Sequence, residues 1–230
     1  MATSGTTAFN LDLTELVEEA FERAGSEMRT GYDLKTARRS LNLLFADWAN
    51  RGINMWTIEQ GAISLVAGTG TYDLPSDTVD LLEFVIRINA GATATQSDLT
   101  MSRISVSTYS SIPSKLSQGR PIQVWIDRQA PTPTVNLWPV PDGAQPYQFV
   151  YWRLKRIDDA GNGVNTMDVP FRFLPCMVAG LAYYLALKVP NGMERLGLLK
   201  QQYDEAWELA ATEDREKASF SLVPRHMTIG

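Results

Sequence analysis

Apolar positions recur with a period near 3.6 at both ends of the chain and near 2 between them. Leu13, Leu16, Val17, Ala20, Phe21 and Ala24 fall on one helical stripe, with Asp12 and Glu15 spaced as a capping box before it and Gly25 placed to stop it. A second stripe begins at Asp33, collects Leu34, Ala37, Leu41, Leu44, Phe45 and Trp48, and ends at Gly52. From Met55 the alternation is that of strands. "WTIEQGAISLV" and "TYDLP" flank the turn "AGTG" and read as a hairpin. "LLEFVIRI", a polar stretch over 89–96, a short possible helix between Asp98 and Ser114, and "PIQVWID" follow. Val135, Leu137 and Trp138 then end a strand, residues 139–143 make a turn, and 148–154 return as a second hairpin. The helical period resumes at Pro170. An almost wholly apolar run spans Phe173 to Leu187, and a final stripe takes in Met193, Leu196, Leu199, Tyr203, Ala206 and Ala210. After Lys217 no period remains, and Pro224 suits an extended tail.

These elements predict an α+β fold. N- and C-terminal helix pairs form one helical bundle, an antiparallel β domain is inserted between them, and an extended C-terminal tail follows. The expected divisions are 1–54 and 169–217 for the two helical hairpins, 55–168 for the β-rich insert and 218–230 for the tail. A globule of this size buries roughly 70% of its unfolded surface.

Composition narrows the function classes. A net charge of -5 and a pI near 5.0 argue against electrostatic grip on nucleic acid. The single cysteine, Cys176, lies in the apolar run and reads as a small buried hydrophobe, so no intrachain disulfide is expected. That run is shorter than the about 20 residues a membrane span needs and contains Pro175, so no membrane association is expected. The start "MATSGTTAFN" lacks the basic and apolar regions of a secretion signal. The only histidine, His226, stands in the tail with no metal-binding or nucleophile spacing around it, and "AGTG" lacks phosphate-loop spacing. No catalytic, cofactor-binding or metal-binding residue is assigned. The first helix is rich in acid (Asp12, Glu15, Glu18, Glu19, Glu22) and the second in base (Lys35, Arg38, Arg39, Arg51), faces that neighbouring subunits could pair, or that a contact within the chain or plain solvation explains equally well.

Aromatic placement is the remaining signal. On residues 148–154 Phe149 and Tyr151 point one way and Val150, Trp152 and Leu154 the other, so neither face is designed for water. On "PIQVWID", Ile122, Val124 and Ile126 share one face while Trp125 stands on the polar one. Such aromatics serve as core at a helix–sheet junction, as sugar platforms or as protein interface. The sugar reading makes the chain a carbohydrate-binding β module, with Trp125, Trp138 or Trp152 as platforms.

Several stretches carry a resemblance: "LNLLFADWANRGINMWTIEQGAISLVAGTGTYDLPSDTVDLLEFVIR", then "LWPVPDG" with "FVYWRLKRIDD", then "DVPFRFLPCMVAGLAYYLALK" and a long acidic last helix. From about Thr14 to Lys217 the chain resembles the head-to-tail adaptor (connector) proteins of short-tailed bacteriophages, the group that includes tail tubular protein A. The resemblance implies a non-catalytic virion protein of the tail or neck, made in the host cytoplasm. It implies a homo-oligomeric ring of twelve copies that docks on the portal protein, carries the tail or nozzle protein and lets genomic DNA pass without binding it. The second apolar face of 148–154 is then expected to be covered by another subunit or tail component. Trp138, Pro139 and Pro141 on the turn, and Phe220, Leu222 and Arg225 on the tail, are the expected partner-binding residues.

Overall fold

The computed structural model describes Gly5 and residues 9–29, 31–52, 55–161, 164–190 and 192–214. Among them are helices α1 (Leu13–Ala24), α2 (Gly31–Asn50), α3 (Val106–Ser111), α4 (Leu174–Ala186) and α5 (Leu196–Glu213). The strands are β1 (Ile58–Ser64), β2 (Thr71–Asp73), β3 (Thr78–Ile88), β4 (Ser97–Thr100), β5 (Ser102–Arg103), β6 (Gln123–Asp127), β7 (Thr134–Trp138) and β8 (Tyr147–Lys155). The described residues of Met1–Met55 and Asp159–Gly230 form one compact unit, and Trp56–Asp158 another.

In the helical unit α1 follows its sequence pattern closely. Asp12 accepts from the Glu15 amide at 2.8 Å while Glu15 accepts from the Asp12 amide at 3.3 Å, and Gly25 closes the helix with a φ of 85°. All six residues of its stripe are buried. On α2, Ala37, Leu41, Leu44, Phe45 and Trp48 are buried, Leu34 is half-buried, and Ser40 joins the buried face. The Ser40 hydroxyl has partners there: Lys188 donates to it at 2.6 Å and it donates to the Thr36 carbonyl at 3.2 Å. Helix α4 is apolar nearly all round because it packs against α1, α2 and α5. Gly180 permits that approach, since a Cβ there would lie 2.9 Å from both Leu44 Cδ2 and Tyr203 Cε2.

The last stripe differs from expectation. Its buried residues are Leu199, Tyr203, Trp207 and Ala210, so Trp207 takes the place given to Ala206, which is half-buried. Met193 is 67% exposed, because residues 192–195 form a 3-10 turn whose tighter winding breaks phase with the helix after it. Trp48 gathers the unit's aromatics, with ring centroids 5.9 Å from Phe45, 5.6 Å from Phe173 and 5.6 Å from Trp207. Its indole N–H donates to the Tyr203 hydroxyl at 3.0 Å, and the Arg51 guanidinium lies 4.8 Å from the Trp207 ring. The chain joins this unit before the helical period resumes: the Ala160 amide donates to Asn42 at 2.9 Å and the Leu13 amide to the Asn165 carbonyl at 3.1 Å.

The β unit holds two four-stranded sheets, ordered β1-β8-β3-β4 and β2-β7-β6-β5. All pairs are antiparallel except β5 with β6, which the expected antiparallel insert did not include. Leu74, Leu81, Val124, Ile126, Val135, Leu137, Phe149 and Tyr151 from both sheets make one buried cluster. Neither expected hairpin exists. β1 and β2 belong to different sheets, and so do β7 and β8. Instead β1 pairs with β8 and β2 with β7, so a two-stranded ribbon folds from one sheet onto the other. The two turns run side by side through that fold: the Leu65 amide donates to the Tyr147 carbonyl at 2.9 Å, Gly68 to Pro141 at 2.9 Å, and Leu137 to Gly70 at 2.8 Å. "AGTG" and "PVPDG" therefore carry true turn chemistry, but each turns the chain between layers rather than back along its own strand. Gly61 is required on β1 because the Tyr151 ring lies where a Cβ would be.

Candidate partner-binding surfaces

The chemistry of the site begins with what the described residues do not assemble. None of them form a group of three His, Cys, Asp or Glu side chains able to hold a metal ion, and none of their helices is long and apolar enough to cross a membrane. Cys176 is buried on α4, and burial pushes its thiol up to about 12, which keeps it protonated and unreactive. His226 and the expected tail residues Phe220, Leu222 and Arg225 lie outside the described residues.

On the β unit the turn after β7 is less open than the sequence suggests. Trp138 is half-buried, with its indole N–H donating to the Ser114 carbonyl at 3.0 Å. Pro141 is buried where the companion turn at 65–70 meets it, the Gly68 amide donating to its carbonyl, and Pro139 is half-buried against Gly119. The turn is therefore one wall of the folded ribbon and not a projecting tip. Trp125 is a helix–sheet junction residue: the Tyr109 ring of α3 stacks on it with centroids 5.0 Å apart, which leaves that face unavailable to a sugar.

The two faces of β8 separate as their alternation requires. Phe149 and Tyr151 enter the cluster between the sheets. Trp152 and Leu154 are half-buried on the opposite face, where strand register sets them beside Gln60 and Ile58 of β1. Val150 is buried between its cross-strand neighbours Ala62 and Val85. At the register shift of β3 between Leu81 and Glu83, Leu82 is 47% exposed. Beyond this apolar strip, Arg87 and Asp98 form a bidentate pair at 2.7 and 2.8 Å. One end of the sheet is closed by Arg153, nearly buried, which donates to Glu59 at 2.5 and 3.0 Å, to Asp77 at 2.6 Å and to Thr78 at 3.0 Å. The hydrogen bond from Arg153 holds the Asp77 carboxyl below the usual range.

The helical unit carries a groove that pattern reading missed. A hollow of about 1020 Å³ lies between α1 and the start of α4. Its apolar lining comes from Phe9, Leu11, Phe171, Leu174, Pro175 and Val178, and its rim from Glu15, Glu18, Glu19, Glu22 and Arg23. The acidic face noted on the first helix is thus the edge of an apolar trough. A smaller hollow that shares Arg23 and Pro175 continues toward Leu209 on α5. Within the helices, Arg23 pairs with Glu19 at 2.7 Å and Arg51 with Asp47 at 2.8 Å, while Arg38 donates to the Gly161 carbonyl at 3.1 Å. Part of the expected acid and base faces is therefore satisfied inside the chain.

Apolar surface on both units is the chemistry of a protein that meets other proteins. No curated protein matches the chain. The SU10 adaptor protein family matches residues 11–225, which takes in all the elements described above. The chain therefore belongs to the SU10 adaptor protein family and is a structural adaptor of the phage virion.

Proposed function

We propose that the chain is a head-to-tail adaptor of the connector type, related in role to tail tubular protein A. Copies assemble into a ring, twelve by the resemblance, that docks on the portal, extends the DNA channel and offers the attachment site for the tail. In this reading helices α1, α2, α4 and α5 form a bundle built from both ends of the chain, and the β unit is its inserted domain. The observation that carries the reading is the apolar strip on the outer side of β8, where Trp152 and Leu154 are left half-buried and Leu82 is 47% exposed. A neighbouring subunit or tail component covers that strip. Trp138 and Pro139 meet the partner at the folded ribbon, while buried Pro141 keeps the turn in shape. Phe220, Leu222 and Arg225 contact the portal in the assembled particle. The acidic balance of the chain suits a conduit through which a polyanion slides.

Native mass measurement of the purified chain with and without portal rings tests this. Multiple copies are expected on each portal ring, and Leu82→Asp should reduce their number while leaving the melting temperature of the free chain unchanged. A chain that stays unbound in the presence of portal rings refutes the reading.

A further inference from the structure

We infer that the groove between α1 and the start of α4 is the docking site of the chain's own C-terminal segment, residues 215–229. Phe9 and Phe171, both lining the groove, are 76% and 79% exposed, a concentration of open aromatic surface that a soluble face does not otherwise carry. The trough asks for an extended occupant with apolar side chains for the floor and positive charge for the glutamate rim. Sixteen residues follow Asp214 in the sequence (230 − 214). They bring Phe220, Leu222 and Val223 for the floor, and Arg215, Lys217 and Arg225 against Glu216 alone for the rim. Pro224 and the alternation of Phe220 with Leu222 fit a chain laid in a groove rather than a helix. The stretch 1–8, the other candidate in the chain, has no charged side chain and no large apolar one beyond Met1.

The starting point of the segment is also suitable. The Asp214 carboxylate accepts from Arg172 at 2.9 Å, and Arg172 is the neighbour in sequence of Phe171 at the groove. Sixteen extended residues reach about 50 Å, whereas the rim from Glu15 to Arg23 covers only about 12 Å of helix. Tethering gives the segment an effective concentration of about 1 mM at its own groove, above that of a second copy in dilute solution. The inference concerns the free chain, goes beyond the ring reading and does not depend on portal binding.

A full-length chain carrying a benzophenone amino acid in place of Phe220 tests it under illumination. The expected adducts have the mass of one chain and map to peptides holding Glu15–Arg23 or Phe171–Val178. Reversing the exposed rim charges with Glu18→Lys and Glu22→Lys should lower their yield about fivefold, and added salt should act in the same direction. Adducts of twice the chain mass would assign the groove to a second copy and overturn the inference. Adducts mapping elsewhere in the chain, no adducts at all, or a yield indifferent to the charge reversal, would overturn it too.

Discussion

Gly180 on α4 sits where three helices come closest, and substituting alanine there probes that contact directly. The new methyl group would lie 2.9 Å from Leu44 Cδ2, 3.0 Å from Leu44 Cδ1 and 2.9 Å from Tyr203 Cε2. The Tyr203 ring cannot swing freely, because its hydroxyl accepts from the Trp48 indole at 3.0 Å, and Leu44 is fully buried. Overpacking of this kind costs about 1–3 kcal/mol, offset by about 1 kcal/mol of helix propensity gained over glycine. Gly180→Ala should therefore be destabilising by about 0–2 kcal/mol. Leu44→Ala alone should cost about 2–5 kcal/mol through lost burial and the cavity left behind. Combined, the two changes relieve each other: Leu44 supplies two of the three obstructing atoms, and the added methyl fills part of the space it leaves. The double variant should thus be more stable than the sum of single effects predicts by about 1–2 kcal/mol, within the range of contacting pairs. Urea titrations of all four chains, followed by far-UV circular dichroism, measure this coupling. Additivity within about 0.5 kcal/mol, or outright stabilisation by Gly180→Ala alone, would refute the close approach of α4 to α2 and α5.

Three further outcomes are expected. Gly192→Ala should be more damaging than Gly180→Ala, by about 3 kcal/mol in total, because its Cβ would strike the Ala186 backbone, which cannot rotate away; a melting temperature equal to that of the parent would refute this. The Asp77 carboxyl has a folded-state pKa below its unfolded one, so its contribution to stability is complete above the ordinary carboxylate pKa and fades as pH falls through the depressed value. Arg153→Met should flatten that acid limb by only a small amount, since Asp77 is partly exposed and screened; an unaltered limb in unfolding curves taken across the acid range would count against the Arg153 pairing. Cys176 should resist a thiol reagent at pH 8 until the chain is unfolded, and rapid labelling of the native chain would contradict its burial.

Where local chemistry decides the structure, the sequence was readable. The Asp12 and Glu15 spacing, the stripe of α1 and the stop at Gly25 all involve neighbours within one or two turns, and all are present. The "AGTG" and "PVPDG" turns show the limit. Turn residues dictate that the chain bends but not which partner the next strand takes, and here each following strand finds its ladder in the other sheet. The same limit applies to Trp125, whose covering residue Tyr109 lies in a short helix that no apolar period marks. On α5, Ala206 and Trp207 follow Tyr203 by three and four residues and both fit its stripe, so the period alone does not choose between them; the ring cluster at Trp48 takes Trp207. The groove combined α1 with residues 171–178, far apart in sequence, so its acidic rim was legible only as a charged helix face.

The pairing of the first and last strands of the β unit bears on how such a unit can be exchanged. Ile58 stands opposite Leu154, so the chain enters this unit and leaves it on adjacent strands, about 5 Å apart. What lies between the two paired strands can lengthen or shorten without changing the gap that the flanking segments must meet, because the β1–β8 ladder sets it. The β unit is in that sense a cassette with a two-stranded handle. Changes in length within a loop such as 89–96 would alter the surface of the unit and leave the spacing of its two ends as it is.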